Sequence, residues 1–312
     1  MTRVELSKVS DGKSNVKAVL TSLCAGAVAG AIAKSAIAPL DRTKINFQVG
    51  KCKYSTRAAF RFLLKSYNND GLLSLWRGNS ATMARIIPYA AIQFSSHEQW
   101  KRLLDVESSK TKRFLAGSLA GITSQTLTYP LDLARARMAV ASKGTYTSLS
   151  KVFVSIWNTE GVYGLYRGYI PTILGVIPYA GVSFYTYGML KKWVTREYGQ
   201  TNAVTNLICG AAAGMLGQTS SYPLDIVRRR MQVSTLTGEE YRRIIQTLVK
   251  VYSDEGLMGI FKGLSMNWVK GPIAVGISFA TYEHINDSLH RIENATNEIV
   301  FLKHTKGDSG KD

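Results

Sequence analysis

Three short segments carry the same charges in the same order. Pro39-Leu40-Asp41-Arg42-Thr43-Lys44 recurs as Pro130-Leu131-Asp132-Leu133-Ala134-Arg135 and as Pro223-Leu224-Asp225-Ile226-Val227-Arg228, the prolines standing 91 and 93 residues apart. A carboxylate three residues before a base is suited to ion pairing, and the threefold recurrence argues against solvated helix-end charges. Three further cations, Lys34, Arg85 and Lys270, each stand alone in a stretch otherwise free of charge. A lone charge in an apolar span is costly and by default marks a ligand path. With no acid in the same stretches, these cations call for a polyanion, and phosphates fit better than a monocarboxylate or an amino acid. Arg offers paired contacts to phosphate, whereas Lys acts as a point charge. Covalent chemistry is not indicated, because the chain has no GxSxG, P-loop, GxGxxG or HExxH run. Cys24, Cys52 and Cys209 are scattered, with no CxxC and no histidine at ligand spacing, so neither a zinc site nor a disulfide framework is expected. The residues point to binding or transport, with no catalytic group, metal or cofactor.

These charges sit in a repeating frame. Each motif proline is preceded by a GxxxG pair, Gly26/Gly30, Gly117/Gly121 and Gly210/Gly214, and by a polar residue five positions back, Lys34, Gln125 and Gln218. Downstream, Asp70-Gly71 and Trp76-Arg77-Gly78 recur as Glu160-Gly161 and Tyr166-Arg167-Gly168, then as Glu255-Gly256 and Phe261-Lys262-Gly263. A period of about 92 residues is an internal repeat. Each repeat reads as a small-residue helix kinked at its proline, a basic loop with a short helix, and a second long helix. The short helices are expected at about 54–68, 146–158 and 239–253, each stopped by an acidic-Gly pair. The divisions that follow are a polar segment 1–16, repeats 17–107, 108–199 and 200–292, and a polar tail 293–312.

Composition sets the class. The 312 residues include 39 Lys and Arg against 21 Asp and Glu, a formal net charge of +18 that asks for an anionic partner. Only 19% of residues are charged, below the roughly 25% usual in soluble domains. Phe114–Leu131, Gly168–Leu190 and Thr201–Leu224 are free of charge over 18, 23 and 24 residues, and Ala18–Leu40, Gly78–His97 and Gly263–Tyr282 hold one cation each. About 20 predominantly apolar residues span a bilayer. Six membrane helices are therefore expected, against a rival reading as a soluble basic helical-repeat protein that binds nucleic acid. Residues 1–17 are polar and mixed in sign, unlike a signal peptide. The loops within repeats hold seven, five and seven Lys and Arg, and the connections at 98–113 and 188–204 hold five and three. Short basic loops stay on the untranslocated side, which puts both termini in the opposite compartment.

Counting thirteen residues back from Glu98, Gly188 and Glu283 reaches Arg85, Gly175 and Lys270, three positions equivalent by the chain's own symmetry. Gly175-Val176 leaves the second of them flat and apolar. Tyr89 and Tyr179 follow Pro88 and Pro178 at the same depth. A small residue beside aromatic rings suits a planar base held by stacking, though both tyrosines also fit simple packing.

Over residues 17–292 the chain resembles the mitochondrial carrier family, on the threefold P-x-(D/E)-x-x-(K/R) with its acidic-Gly and aromatic-basic-Gly followers. The resemblance implies an all-α fold of six transmembrane helices in three pseudo-symmetric repeats, with short matrix helices, in the inner mitochondrial membrane. The termini would face the intermembrane space and the basic loops the matrix. It implies a matrix gate of Asp41–Arg135, Asp132–Arg228 and Asp225–Lys44. The family's opposite gate, (F/Y)-(D/E)-x-x-(K/R), is degraded here. Glu98 and Lys101 keep both charges, Lys191 lacks an acid before it, and Glu283 lacks a base after it, so Lys191–Glu283 is the one full pair expected around the ring. A cavity resting open to the outside follows.

The resemblance also bears on the cargo. Gly followed by an aliphatic residue at 175–176 is the pattern of adenine-nucleotide carriers. The RRRMMM run of ADP/ATP carriers is present only in part, as Arg228-Arg229-Arg230-Met231-Gln232, and Asn46 replaces an expected basic residue. The stretches 38–49, 75–98, 128–140 and 263–283 resemble members that carry coenzyme A or related 3′-phosphoadenosine compounds in exchange for adenine nucleotides, the alternative being another adenine-nucleotide carrier. Lys34, Arg85 and Lys270 would hold the phosphates, with Tyr89, Gly175, Val176 and Tyr179 about the base. Cardiolipin would sit at Trp76-Arg77-Gly78, Tyr166-Arg167-Gly168 and Phe261-Lys262-Gly263, where free backbone N–H groups begin the even-numbered long helices. A monomer that binds no nucleic acid is expected.

Overall fold

The computed structural model describes residues 3–50, 52, 54–105, 109–199 and 202–308. Among them the secondary structure is helical, with no strand. Three helices carry the PxDxx(K/R) motifs: α1 (Arg3–Val49), α4 (Lys110–Val140) and α7 (Ala203–Thr237). Three carry the mid-helix positions: α3 (Asn79–Leu104), α6 (Tyr169–Tyr198) and α9 (Leu264–Asp308). Between them lie the short helices α2 (Thr56–Asp70), α5 (Leu149–Gly164) and α8 (Ile244–Ile260). Every long helix contains a proline, at Pro39, Pro88, Pro130, Pro178, Pro223 and Pro272. Residues 37–272 form one compact unit; the stretches up to 36 and from 273 form another. The contacts below lie within 37–272 unless stated otherwise.

Local sequence explains the short helices. Ser55 and Ser148 cap α2 and α5 by accepting the backbone N–H groups of Ala58 and Lys151. The acidic-Gly pairs break each helix: Gly71, Gly161 and Gly256 adopt positive φ, and the chain then adds a further turn, which in the first repeat is the 3-10 segment Leu72–Trp76. The third short helix starts at Ile244, later than the sequence expectation of 239. The intervening stretch is held as a loop, with Glu239 paired to Lys250 and the Tyr241 hydroxyl taken by Arg230.

Packing repeats with the sequence. Ala81, Tyr129, Leu133, Met138, Val152 and Ile156 join α3, α4 and α5 in one core, and Tyr222, Ile226, Val251, Ile260 and Leu264 join α7, α8 and α9 in its counterpart. A third cluster, Ile45, Val49, Ala136, Ala139 and Val233, brings the C-terminal halves of α1, α4 and α7 together. Its members follow Lys44, Arg135 and Arg228 along their helices, so an apolar plug lies directly beyond the motif charges. Large apolar side chains face outward at Ile170, Leu174, Ile177 and Phe184 on α6, a spacing of three to seven residues that exposes one apolar stripe. α6 is long and apolar enough by itself to cross a membrane, with a mean hydropathy of 1.3 over its most apolar window. Among the described residues it is the one helix that meets that measure.

Candidate functional site

The three motif carboxylates meet the bases of neighbouring repeats. Arg135 pairs with Asp41, Arg228 Nη2 lies 2.5 Å from Asp132 Oδ2, and Lys44 Nζ lies 2.8 Å from Asp225 Oδ2. The chain closes this ring by joining α1 to α4, α4 to α7 and α7 back to α1. Two glutamines brace it. Gln48 Nε2 donates to Asp225 Oδ2 at 2.9 Å, and Gln232 Nε2 donates to Asp132 Oδ2 at 2.9 Å. The same amides reach the hydroxyls of Tyr222 and Tyr129, which in turn donate to the carbonyls of Lys262 and Arg167. Sequence reasoning missed these four residues, although the signal was present: Gln48 and Gln232 both stand nine positions after a motif proline, and Tyr129 and Tyr222 one position before. The equivalent residues elsewhere in the repeats are Ala139 and Ala38, so the Asp41–Arg135 pair has no such brace.

A second tier lies past the ring. Arg137 donates to the Gln232 carbonyl, Arg230 to the Gln48 carbonyl, and Asn46 to the Ala139 carbonyl, one position repeated three times. Arg137 also pairs with Glu160 at 2.5 Å, and Glu160 accepts from Arg167; Arg230 and Lys262 pair with Glu255 in the same manner. Burial pushes the Glu160 carboxyl up, but the hydrogen bond and charge of Arg137, with Arg167 beside it, outweigh burial and hold it below the usual glutamate range. Asn46 is too short and uncharged for this role. In the first repeat Arg42 donates to the carbonyls of Ser74 and Ala139, and Asp70 pairs with Arg77.

The mid-helix cations are not free of acids, contrary to the sequence expectation. Lys270 Nζ lies 2.6 Å from Asp41 Oδ1, and Arg85 Nη1 lies 3.3 Å from Asp132 Oδ1. The spans that hold these cations contain no carboxylate, but their long side chains reach the motif aspartates of other helices. Arg229 approaches Asp132 at 3.6 Å as well. Six cations, Lys44, Arg85, Arg135, Arg228, Arg229 and Lys270, thus share the three carboxylates Asp41, Asp132 and Asp225. The positive excess survives the pairing.

Above the ring opens a cavity of about 730 Å³. Lys270, Lys44, Arg228 and Arg229 line it with Asp225, and Tyr89, Gly175, Val176 and Tyr179 line it higher up. Arg85 is turned aside: it donates to Gln125, Thr128 and Asp132, and its guanidinium covers one face of Tyr89 at 4.9 Å from the ring centre. Lys34 is exposed and belongs to the other unit. Glu98 and Lys101 pair with each other along α3 at 3.0 Å, and Lys191 lies over the Tyr187 ring. Glu283 is exposed on the part of α9 that belongs to the other unit.

The aromatic-basic-Gly motifs are built inward. Tyr166 stacks on Tyr129 and Phe261 on Tyr222, with ring planes within 13° and 12° of parallel. Arg77 donates to the Ala141 carbonyl, while Lys262 is buried against Glu255 and the Gly50 carbonyl. The bases expected to greet lipid phosphate are therefore engaged inside the protein, Lys262 most of all. What remains for an anion is backbone N–H at the starts of α3, α6 and α9, where Gly78, Gly168 and Gly263 adopt positive φ. These three glycines approach the next repeat closely. A side chain on Gly78 would strike the Arg135 carbonyl, one on Gly168 the Arg228 carbonyl, and one on Gly263 would meet Tyr222 and Lys44.

This threefold geometry agrees with comparison to known proteins. The family model described as mitochondrial carrier protein matches residues 15–108, 106–198 and 199–293. The chain belongs to the mitochondrial carrier family. Its relatives include a Xenopus laevis protein named mitochondrial coenzyme A transporter, 55% identical across 88% of this chain and 87% of the relative. A Homo sapiens protein of the same name is 52% identical across 93% and 94%. A Dictyostelium discoideum protein named mitochondrial substrate carrier family protein P is 39% identical across 92% and 99%. As a mitochondrial carrier the chain is a membrane transporter rather than an enzyme, and its all-α repeats are the carrier fold.

Proposed function

We propose that this carrier exchanges coenzyme A, or a close relative such as dephospho-coenzyme A or adenosine 3′,5′-diphosphate, for adenine nucleotides such as ADP across the inner mitochondrial membrane. The observation that carries the reading is the excess of cations over carboxylates in the ion-paired ring beneath the cavity, six against three. Relatives at 52–55% identity bear the name coenzyme A transporter, which supports the choice of cargo. Phosphate groups entering the cavity would compete with Asp41 and Asp132 for Lys270 and Arg85. Each cation that moves to the substrate weakens one member of the ring, so binding energy offsets the cost of opening it. The base lies by Gly175 and Val176, with Tyr179 against it and Tyr89 stiffened by Arg85.

In this scheme Asp41–Arg135, Asp132–Arg228 and Asp225–Lys44 form the matrix gate, and Glu98, Lys101 and Lys191 belong to the weaker gate opposite. Both termini face the intermembrane space. Cardiolipin occupies the helix starts at Gly78, Gly168 and Gly263, held by backbone N–H rather than by Arg77, Arg167 or Lys262. The carrier acts as a monomer. The test is thermal unfolding in detergent: ligand that binds only the folded state raises the unfolding temperature. Coenzyme A and ADP should each stabilise the protein and a tricarboxylate should not. Equal indifference to all three contradicts the reading.

A further inference from the structure

The two glutamines that stand five residues before Pro130 and Pro223 occupy equivalent places in successive repeats, yet their surroundings differ. Gln125 Oε1 accepts from Arg85 Nη2 at 2.7 Å. At the position equivalent to Arg85, the next repeat has Gly175, which offers no side-chain donor. Gln218 Oε1 is accordingly buried without a hydrogen-bond partner, and Gln218 lines the cavity. A buried acceptor left unpaired is expensive, about 1–3 kcal/mol, and native proteins seldom keep one without a use for it.

The level of Gln218 is set by how α6 and α7 run together. Gly175 faces Leu224, Ser220 Oγ donates to the Pro178 carbonyl, and Gly217 abuts the Tyr179 carbonyl. An antiparallel register through these contacts brings Gln218 level with Tyr179, one turn from Gly175 and Val176, and all four line the same cavity. A flat apolar slot beside an unpaired acceptor is complementary to a ring that carries an amino group on its edge. Ionised phosphates supply no such donor. Gln and Asn amides read adenine through its exocyclic amino group in other settings by the same geometry.

We propose that Gln218 is a base-specificity residue, its Oε1 accepting a hydrogen bond from the exocyclic amino group of adenine. The inference rests on the proposed adenine-compound exchange and adds the atom that tells adenine from hypoxanthine. In inosine diphosphate the amino group is replaced by a carbonyl, which would face the Gln218 oxygen with like polarity while leaving phosphates, ribose and ring shape unchanged.

The experiment measures uptake of ADP and inosine diphosphate, and of coenzyme A, by liposomes containing the full chain. The wild type should favour ADP over inosine diphosphate by about tenfold or more, the scale expected for one buried hydrogen bond. Gln218→Leu and Gln218→Met should bring that ratio close to one by losing ADP uptake. The ratio is independent of how much protein folds, so a variant that inserts poorly still reports on the base. Gln125→Leu, which removes a partner of Arg85, should lower both nucleotides alike and keep the ratio. A wild type without base preference, or a Gln218→Leu protein that retains it, overturns the inference while coenzyme A uptake leaves the function standing. So does a Gln218→Leu protein that loses coenzyme A but keeps ADP, because the glutamine would then serve another part of the cargo. A wild type that takes up none of the three overturns the function itself, and this inference with it.

Discussion

Lys270 Nζ lies 2.6 Å from one oxygen of Asp41, while Arg135 holds the other oxygen of the same carboxylate. One acid thus serves a mid-helix cation and a ring cation at once. Asp132 repeats the arrangement with Arg85 and Arg228. The cations assigned to the substrate and the acids assigned to the matrix gate are directly paired, so under the proposed function filling the site would loosen the ring. Asp225 departs from this pattern: its ring partner is Lys44, and the mid-helix position of the preceding repeat, which supplies the second cation to Asp41 and Asp132, is here Gly175. Two of the three pairs are therefore open to competition by phosphate.

Lys270→Ala and Arg85→Ala should each reduce coenzyme A exchange in liposomes by at least tenfold. Each removes charge-assisted hydrogen bonds worth roughly 1.5–3 kcal/mol apiece. Lys270→Arg should retain more exchange than Lys270→Ala. Normal exchange in both alanine variants contradicts the assignment of these side chains to the substrate.

Asp132→Asn should destabilise the protein more than Asp225→Asn. Asp132 faces Arg85, Arg228 and Arg229, whereas Asp225 is paired with Lys44. Removing one partner of a buried pair costs on the order of 3–5 kcal/mol because its opposite number stays buried. Thermal unfolding in detergent ranks the two, and the reverse order would show that pairing at this ring does not set stability.

Gly168→Ala should lower the unfolding temperature, with Gly181→Ala as the comparison. Gly168 adopts φ +81°, and a Cβ there would lie 3.0 Å from the Arg228 carbonyl and 3.1 Å from the Tyr129 hydroxyl. Gly181 has nothing within 4 Å. Both the left-handed backbone and the contact oppose alanine at 168. Equal unfolding temperatures for the two variants would remove the close approach from the account.

Acid should weaken the α5 anchor first through Glu160. Its pKa is lower in the folded protein than in the unfolded chain, where about 4.3 is usual. The stabilisation is therefore complete above that value and is lost as pH falls through the folded-state pKa. Glu160→Gln should lose stability at neutral pH and show a smaller further loss than the wild type as pH falls from about 4.3 through the lower folded-state value. An unchanged pH profile would show that Glu160 does not couple to Arg137 and Arg167.

Much of the frame was legible because it is written three times. The prolines, the paired Asp and base, and the acidic-Gly breaks each recur at one period, and the structure places them in equivalent surroundings. Pairing was harder to read. That Arg85 and Lys270 find carboxylates could not be read within their own spans, since Asp132 and Asp41 lie on other helices. The inward turn of Lys262 was hidden for a similar reason: its partners, Glu255 and Gly50, are placed beside it only once α8 and the end of α1 are folded. The bracing glutamines were missed because a neutral amide announces nothing until a carboxylate stands next to it. The orphan at Gln218 is legible only in contrast to Gln125, whose acceptor is filled.

The central claim is that this cavity moves a multiply phosphorylated adenosine compound. It is tested most directly by reconstituting the purified chain into liposomes loaded with ADP and following labelled coenzyme A. The account predicts saturable uptake that requires internal nucleotide and disappears in the Lys270→Ala, Arg85→Ala double variant. Uptake no faster than in protein-free liposomes, or uptake that the double variant sustains in full, would contradict it.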